Sequence, residues 1–315
     1  MGTITNKIFE KHIGRTVYDG ELVFSKVDVG MGTDATLPLA IQEFNKIGRK
    51  LFSRDKIVMI QDHFVPAKDI STANYSKTVR EFAEDNGVEN YYEIGKGGIC
   101  HHVMLESGLC KAGDIVIGAD SHTCTYGAAS MFATGVGSTD LAAFMATGKL
   151  WFRIPKAIKV VFYGTKKKYV QGKDIVLDLI GRMGVSGANY RALEFVDNSM
   201  PKLTMSDRIT ICNMAIECGA KTGIFQYDNI TEQYFNNMNI GIEEKQKLRA
   251  GDDSEYERVI YINLNEIDPK VALPFLPSNV KSVHHINTIE IHQAFIGSCT
   301  NGGIDDMRMA AEVLK

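Results

Sequence analysis

Asp62-His63, His101, Asp120-Ser121-His122 and Cys299 are the residues of this chain whose types suit chemistry. Carboxylate–imidazole pairs are what a proton-transfer site needs: the carboxylate orients the ring, sets its tautomer and stabilises its charged form. His63, His101 and His122 with Asp62, Asp120 and Glu217 can supply three such pairs, and spacing leaves the pairing open. Adjacent residues such as Asp62 and His63 usually point different ways, so that pair alone reads equally as a turn cap. Asp120 and His122 make a stronger pair, because alternate residues at a strand end point the same way. Cys299 lies in a Gly/Ser/Asn loop directly before a helical pattern with Ile304, Met307, Ala311 and Leu314 on one face. A helix N-terminus lowers a thiol's pKa and favours thiolate, the form that binds metal. Cys100, Cys110, Cys124, Cys212 and Cys218 form no C-x-x-C pair and read as small buried apolar residues.

Three apolar runs must position these groups. Residues 56–61 end in Asp62-His63, 114–119 in Asp120-Ser121-His122, and 291–296 in the loop that holds Cys299. Ligands of open α/β sheets sit beyond the carboxyl ends of the strands, so three such strand ends predict one shared site. Strand-like and helix-like segments alternate, which predicts an α/β fold. Helices are expected over 74–86, over 138–151 with Ser138 as N-cap, over 174–183, and after Thr204, where Thr204 and Asp207 match a capping box. On that last helix Asn213 and Glu217 fall on one face, one turn apart. They border an apolar stripe, and a solvent edge explains them as well as a site does.

Strands are expected over 158–163 and 258–264, a solvated turn at Lys166 to Lys168, surface helix and loop over 229–256, and a boundary loop at Leu273 to Pro277. Gly135-Val136-Gly137 begins like a dinucleotide fingerprint but places Asp140 where Gly or Ala is required, so a tight turn before a helix explains it. At 315 residues the chain is long enough for two or more domains. Lys plus Arg total 35 and Asp plus Glu 38, a balance that gives no electrostatic reason for a nucleic-acid or anionic-membrane partner. The first residues lack the apolar stretch of a secretory signal, and no run approaches the roughly 18 apolar residues of a membrane span. A cytoplasmic protein is expected.

The chain resembles the large subunit of the aconitase superfamily, and within it the archaeal-type isopropylmalate dehydratase and homoaconitase group. Gln61-Asp-His63, Gly98-Ile-Cys-His101, Gly118-Ala-Asp-Ser-His-Thr123, Ile211-Cys-Asn-Met-Ala-Ile-Glu217-Cys-Gly-Ala220 and Gly297-Ser-Cys-Thr-Asn301 carry the resemblance, in the family's order. It implies an aconitase-like α/β/α multi-domain fold, divided as 1–155, 156–285 and 286–315. It implies a hydro-lyase that isomerises a 2-hydroxy acid, with isopropylmalate of leucine biosynthesis expected first and homoaconitate or methylmalate-type substrates as alternatives. A [4Fe–4S] cluster is implied, held by three cysteines, its open iron acting as Lewis acid. Cys299 is then the first cluster ligand, and Asn213 lies beside the cluster. The resemblance makes Asp62-His63 the pair that protonates the departing hydroxyl. It makes His101 with Asp120, and His122 with Glu217, the supporting pairs.

Ser121 is implied to contact substrate. Thr33, in Gly32-Thr-Asp-Ala-Thr36, falls where some relatives place a substrate-binding glutamine. The family's base is a serine on a swivelling domain, which in this group is a separate small subunit. Its other two cluster cysteines lie in a C-x-x-C beyond the helix in which this sequence reaches Lys315. The resemblance therefore leads to the expectation of either a longer chain or an inactive truncated scaffold. A mononuclear metal hydrolase built on His63, His101, His122 and Asp120 is a further reading of the same side chains.

Overall fold

The computed structural model describes residues 2–315. Strands β2 (Val29–Thr33), β3 (Ile57–Ile60) and β5 (Ile115–Gly118) have every residue buried. Such runs belong at the centre of a parallel sheet, covered on both faces. With β4 (Asn90–Tyr92) and β6 (Phe132–Gly135) they form a five-stranded parallel sheet in the order β4-β3-β2-β5-β6. Alternate residues serve opposite faces. Ile57 and Met59 join the core beneath helices α1 (Ile4–Ile13), α2 (Leu37–Ile47), α3 (Ile70–Asn86) and α5 (Ser138–Thr147). Val58 and Ile60 join a second core with Met104 of α4 (Cys100–Glu106). Strand order reverses between β2 and β5, which makes the gap beyond their carboxyl ends the switch-point crevice where α/β sheets bind ligands.

Three helix boundaries differ from the sequence expectation, one of them the start of the helix expected over 174–183, which lies at Gly172. Helix α3 begins at Ile70 rather than 74, because Asp69 and Thr72 form a capping box upstream. Helix α5 stops at Thr147, where Gly148 takes the left-handed conformation at φ 69°. Lys149–Arg153 is instead strand β7, antiparallel to β1 (Leu22–Lys26).

The second sheet is parallel too, in the order β10-β9-β8-β11: β8 (Lys156–Gly164), β9 (Arg191–Ser199), β10 (Thr222–Phe225) and β11 (Arg258–Asn263). Helices α6 (Gly172–Met183) and α7 (Met205–Asn213) pack on it, and the expected Thr204–Asp207 capping box starts α7. The polar 229–256 stretch holds α8 (Asn229–Asn237) followed by loop. Lys166 is no simple solvated turn residue, since its Nζ lies 2.7 Å from buried Asp207.

Two contacts lock the sheets together. The 3-10 segment Ser121–Ala129 leaves β5 and runs against β10 so closely that a Cβ on Gly127 would lie 1.7 Å from the Gly223 carbonyl oxygen. Fully buried Glu194 of β9 accepts the Ile4 and Thr5 N–H groups at 3.1 and 2.9 Å, placing a carboxylate at the N-terminus of α1.

The third expected strand is absent. Residues 291–296 carry no regular structure, and Ile291, Phe295 and Ile296 are exposed. An apolar run becomes a strand only where a sheet edge takes its hydrogen bonds, and no described strand lies alongside. The loop residues 273–277 join a small hairpin, β12 (Lys270–Ala272) with β13 (Val280–Ser282). The chain then reaches α9 (Ser298–Asn301) and α10 (Ile304–Leu314). The α10 stripe faces solvent at Ile304 and Leu314. Among the described residues, no helix is long and apolar enough to cross a membrane.

Candidate active site

Strand ends deliver the acids. Asp62 and His63 follow β3, Asp120 follows β5, and His101 stands in the first turn of α4. His63 Nδ1 lies 2.6 Å from Asp62 Oδ1, and its Nε2 lies 3.3 Å from Asp120 Oδ2. A carboxylate only accepts, so a ring facing two of them carries a proton on each nitrogen. The hydrogen bonds to Asp120 and Asp62 accordingly hold the half-exposed His63 ring up at about 10. Asp62 is fixed in turn, its Oδ2 accepting the Cys100 N–H at 2.7 Å.

Asp120 serves two imidazoles. Its Oδ1 faces His101 Nε2 at 2.9 Å and accepts the His122 N–H at 2.8 Å. Burial opposes its ionisation, yet the hydrogen bonds from His101 and His63 prevail and hold it well below the usual carboxylate range. His101 is buried, and its Nδ1 meets the Tyr126 hydroxyl at 3.0 Å. The ring is thus held between the Asp120 carboxylate and the Tyr126 hydroxyl. Asp120 and His122 do not pair by strand alternation as expected. The strand ends at Gly118, and Asp120 caps the 3-10 segment that carries Ser121 and His122.

His122 instead faces Glu217 and Cys299. Its Nε2 is 3.6 Å from Glu217 Oε1, an ion-pair separation beyond hydrogen-bond length. Burial raises the Cys299 thiol, but hydrogen bonding from His122 and Asn213 outweighs it and leaves the pKa lowered. His122 is raised correspondingly, chiefly by Cys299. The expected helix face bearing Asn213 and Glu217 is broken, because α7 ends at Asn213 and Met214–Cys218 is a 3-10 turn. Asn213 is no solvent edge: it is fully buried, accepts the Thr300 hydroxyl at 2.9 Å and donates to Thr125 at 2.9 Å. Thr210 donates to the Thr300 carbonyl at 2.7 Å, so the Cys299 loop is tied to α7 at two points.

A cavity of about 620 Å³ opens on this network, lined by His63, Asp120, Ser121, Arg153 and Lys221. Gly135 and Gly137 line it as well. A Cβ on Gly135 would lie 2.7 Å from the Asp120 carbonyl oxygen, so the glycine lets β6 approach the acid. Thr33 is not brought to the cavity: it is fully buried, with its hydroxyl 3.4 Å from that of Thr36. Ala35 and Thr36 line the wall in its place. The sequence reading missed Tyr126, which carries no local signal, and Asp34. An acid closing a buried strand level with Ile60 was the available clue to Asp34.

Among the described residues, the groupings close enough to hold a metal ion are His101 with His122 and Cys299, Cys100 with His101 and Asp120, and Asp34 with Asp62 and His63. None unites His63 with His101 and His122, as the hydrolase reading requires. The cysteines divide sharply. Cys100, Cys110, Cys124, Cys212 and Cys218 are buried, and burial pushes every one of their thiols up, Cys124 and Cys218 to about 12. Cys299 is part-exposed and lowered. The donor chemistry therefore fits one thiolate of an iron–sulfur cluster within residues 2–315.

Parallel α/β sheets that gather carboxylate–imidazole pairs and one cysteine of lowered pKa at a switch-point crevice make an arrangement suited to proton transfer. The pattern of the aconitase family (aconitate hydratase) matches residues 6–287, and the chain belongs to that family of hydro-lyases. It is 50% identical over 314 residues to the 3-isopropylmalate dehydratase large subunit of Thermoanaerobacter sp. (strain X514), covering 99% of this chain and 74% of the relative. The protein of the same name from Moorella thermoacetica is 49% identical over 316 residues, again covering 99% and 74%. That from Syntrophus aciditrophicus is 50% identical over 316 residues, with the same coverage.

Proposed function

We propose that this chain is the catalytic large subunit of a cytoplasmic iron–sulfur hydro-lyase that isomerises 3-isopropylmalate by dehydration and rehydration. One observation carries the reading: His63 is an imidazolium at the cavity wall, held between Asp62 and Asp120. Its Nδ1 stays on Asp62, and its Nε2 proton, on the looser 3.3 Å contact, is the one handed to the departing hydroxyl. Asp120 keeps its charge through His101 while His63 turns to substrate. Ser121 contacts the substrate from the same wall. A cluster, when bound, supplies Lewis-acid pull on the hydroxyl, and Cys299 is one of its ligands. Asn213 fixes the loop of that cysteine through Thr300. His122 and Glu217 make the third pair beside it. The base that takes the proton next to the carboxylate comes from a small subunit. The chain divides functionally at 155/156 and 285/286.

The test is reconstitution with iron, sulfide and the small subunit, following formation of the unsaturated acid by ultraviolet absorbance. Turnover of 3-isopropylmalate is expected, falling by about 100-fold or more in His63→Ala. Near-normal turnover of that variant removes His63 from the mechanism. Preference for homocitrate or a methylmalate overturns the substrate.

A further inference from the structure

Asp34 closes β2 and is fully buried, and among the described residues no side chain donates a hydrogen bond to its carboxylate, the His63 ring lying within 4.8 Å of it. Three consecutive backbone N–H groups converge on it instead. Oδ1 accepts from Asp62 at 3.2 Å and from His63 at 2.9 Å, and Oδ2 accepts from Phe64 at 2.8 Å. The Asp34 N–H itself donates to the Ile60 carbonyl at 3.2 Å, so main chain and side chain both grip the end of β3. Burying a carboxylate without a partner is costly, and charge-assisted N–H donors are what offset it.

The clasped segment is the one that carries the acid pair. Residues 61–64 have no regular structure, and beyond the Gln61 N–H, which donates to the Tyr92 carbonyl at 3.1 Å, no ladder bond fixes their course. Neighbouring side chains on an extended segment diverge. Here Asp62 and His63 meet at 2.6 Å, with His63 also reaching Asp120. A backbone curled around one acceptor accounts for that convergence. We propose that Asp34 is a positioning residue: its carboxylate gathers the N–H groups of residues 62–64 and so holds His63 between Asp62 and Asp120. The assignment rests on the reading of His63 as proton donor only in its activity arm.

The His63 ring reports the clasp directly. The ionisable groups facing it are Asp62 from its own loop, Asp120 from the end of β5 and Asp34 from the end of β2, whose carboxylate lies within 4.8 Å of a ring nitrogen. Its Cε1 proton is followed by NMR through pH in the wild-type chain and in Asp34→Asn, which removes one acceptor oxygen. In a folded Asp34→Asn the ring midpoint is expected to fall by about one unit or more. An unchanged midpoint overturns the proposal. Loss of the Asp34 charge alone would also lower the ring, so the comparison is repeated in Asp62→Asn. Acting through Asp62, the Asp34→Asn effect there shrinks to about half or less. An equal effect in both backgrounds shows a through-space charge and overturns positioning.

Should Asp34→Asn fail to fold, amide exchange of wild-type residues 62–64 decides. Protection of about 100-fold or more is expected, and free exchange overturns the clasp. In the reconstituted complex, kcat of Asp34→Asn is expected to fall about tenfold with KM little changed. A shifted ring with unchanged kcat supports the clasp and overturns the proton-donor reading of His63.

Discussion

His63 and Asp62 are chain neighbours whose side chains meet at 2.6 Å, and the second nitrogen of the ring reaches Asp120 at 3.3 Å. Local geometry gives adjacent residues no reason to converge. The pair exists because β3 stops at Ile60 and the loop beyond it curls around Asp34. A ring so placed is charged at neutral pH.

That charge sets a pH dependence. His63 titrates near 6.5 in an unfolded chain and at about 10 in the folded one. Its contribution to stability is therefore complete below about 6.5 and is lost as pH rises through about 10. Thermal midpoints measured between these values should decline less steeply in His63→Gln than in the wild type. Parallel declines would show that the ring is not held protonated.

Asn213 is the buried link between Thr300 and Thr125. Asn213→Ala leaves both hydroxyls short of a partner, and about 1–3 kcal/mol of stability should be lost in urea titration. Alkylation of Cys299 by iodoacetamide should also quicken, since its loop loses one of two ties to α7.

Arg208 is fully buried between Asp197 at 3.1 Å and Asp228 at 2.7 Å. Removing it strands two carboxylates, one of them almost completely enclosed. Arg208→Met should cost about 3–5 kcal/mol by denaturant unfolding. A loss under about 1 kcal/mol would show that water reaches the acids.

Gly127 abuts the Gly223 carbonyl where the two sheets meet. Backbone, not a flexible side chain, is what an added methyl meets, so Gly127→Ala must part the 3-10 segment from β10. A loss of about 3 kcal/mol or more is expected in thermal unfolding. Gly241→Ala, with nothing within 4 Å of its Cβ position, is the control.

The sequence by itself determined the α/β class, because buried runs such as 57–60 and 115–118 and capped helices such as Met205–Asn213 are written locally. It determined which side chains are chemically suited to such a site, because Asp, His and Cys at strand and loop ends are residue types rather than shapes. The five inert cysteines were legible as well, since an isolated thiol among apolar neighbours is buried more often than not. It misled at 291–296, where an apolar run has no sheet edge to complete it, and at 148–151, where one left-handed glycine ends a helix.

Pairing was decided by tertiary structure alone. His101 and Asp120 are 19 residues apart, and Asn213 and Thr300 are 87 apart, so only the crossing of strands and helices brings them to hydrogen-bond range. The same holds for the charge on His63 and the lowered pKa of Cys299. Each depends on the distance to a group that local sequence cannot place. Thr33 shows the limit from the other side. Its position in the chain pointed to substrate, but the turn that follows β2 closes its hydroxyl onto Thr36 and leaves the cavity wall to Ala35 and Thr36.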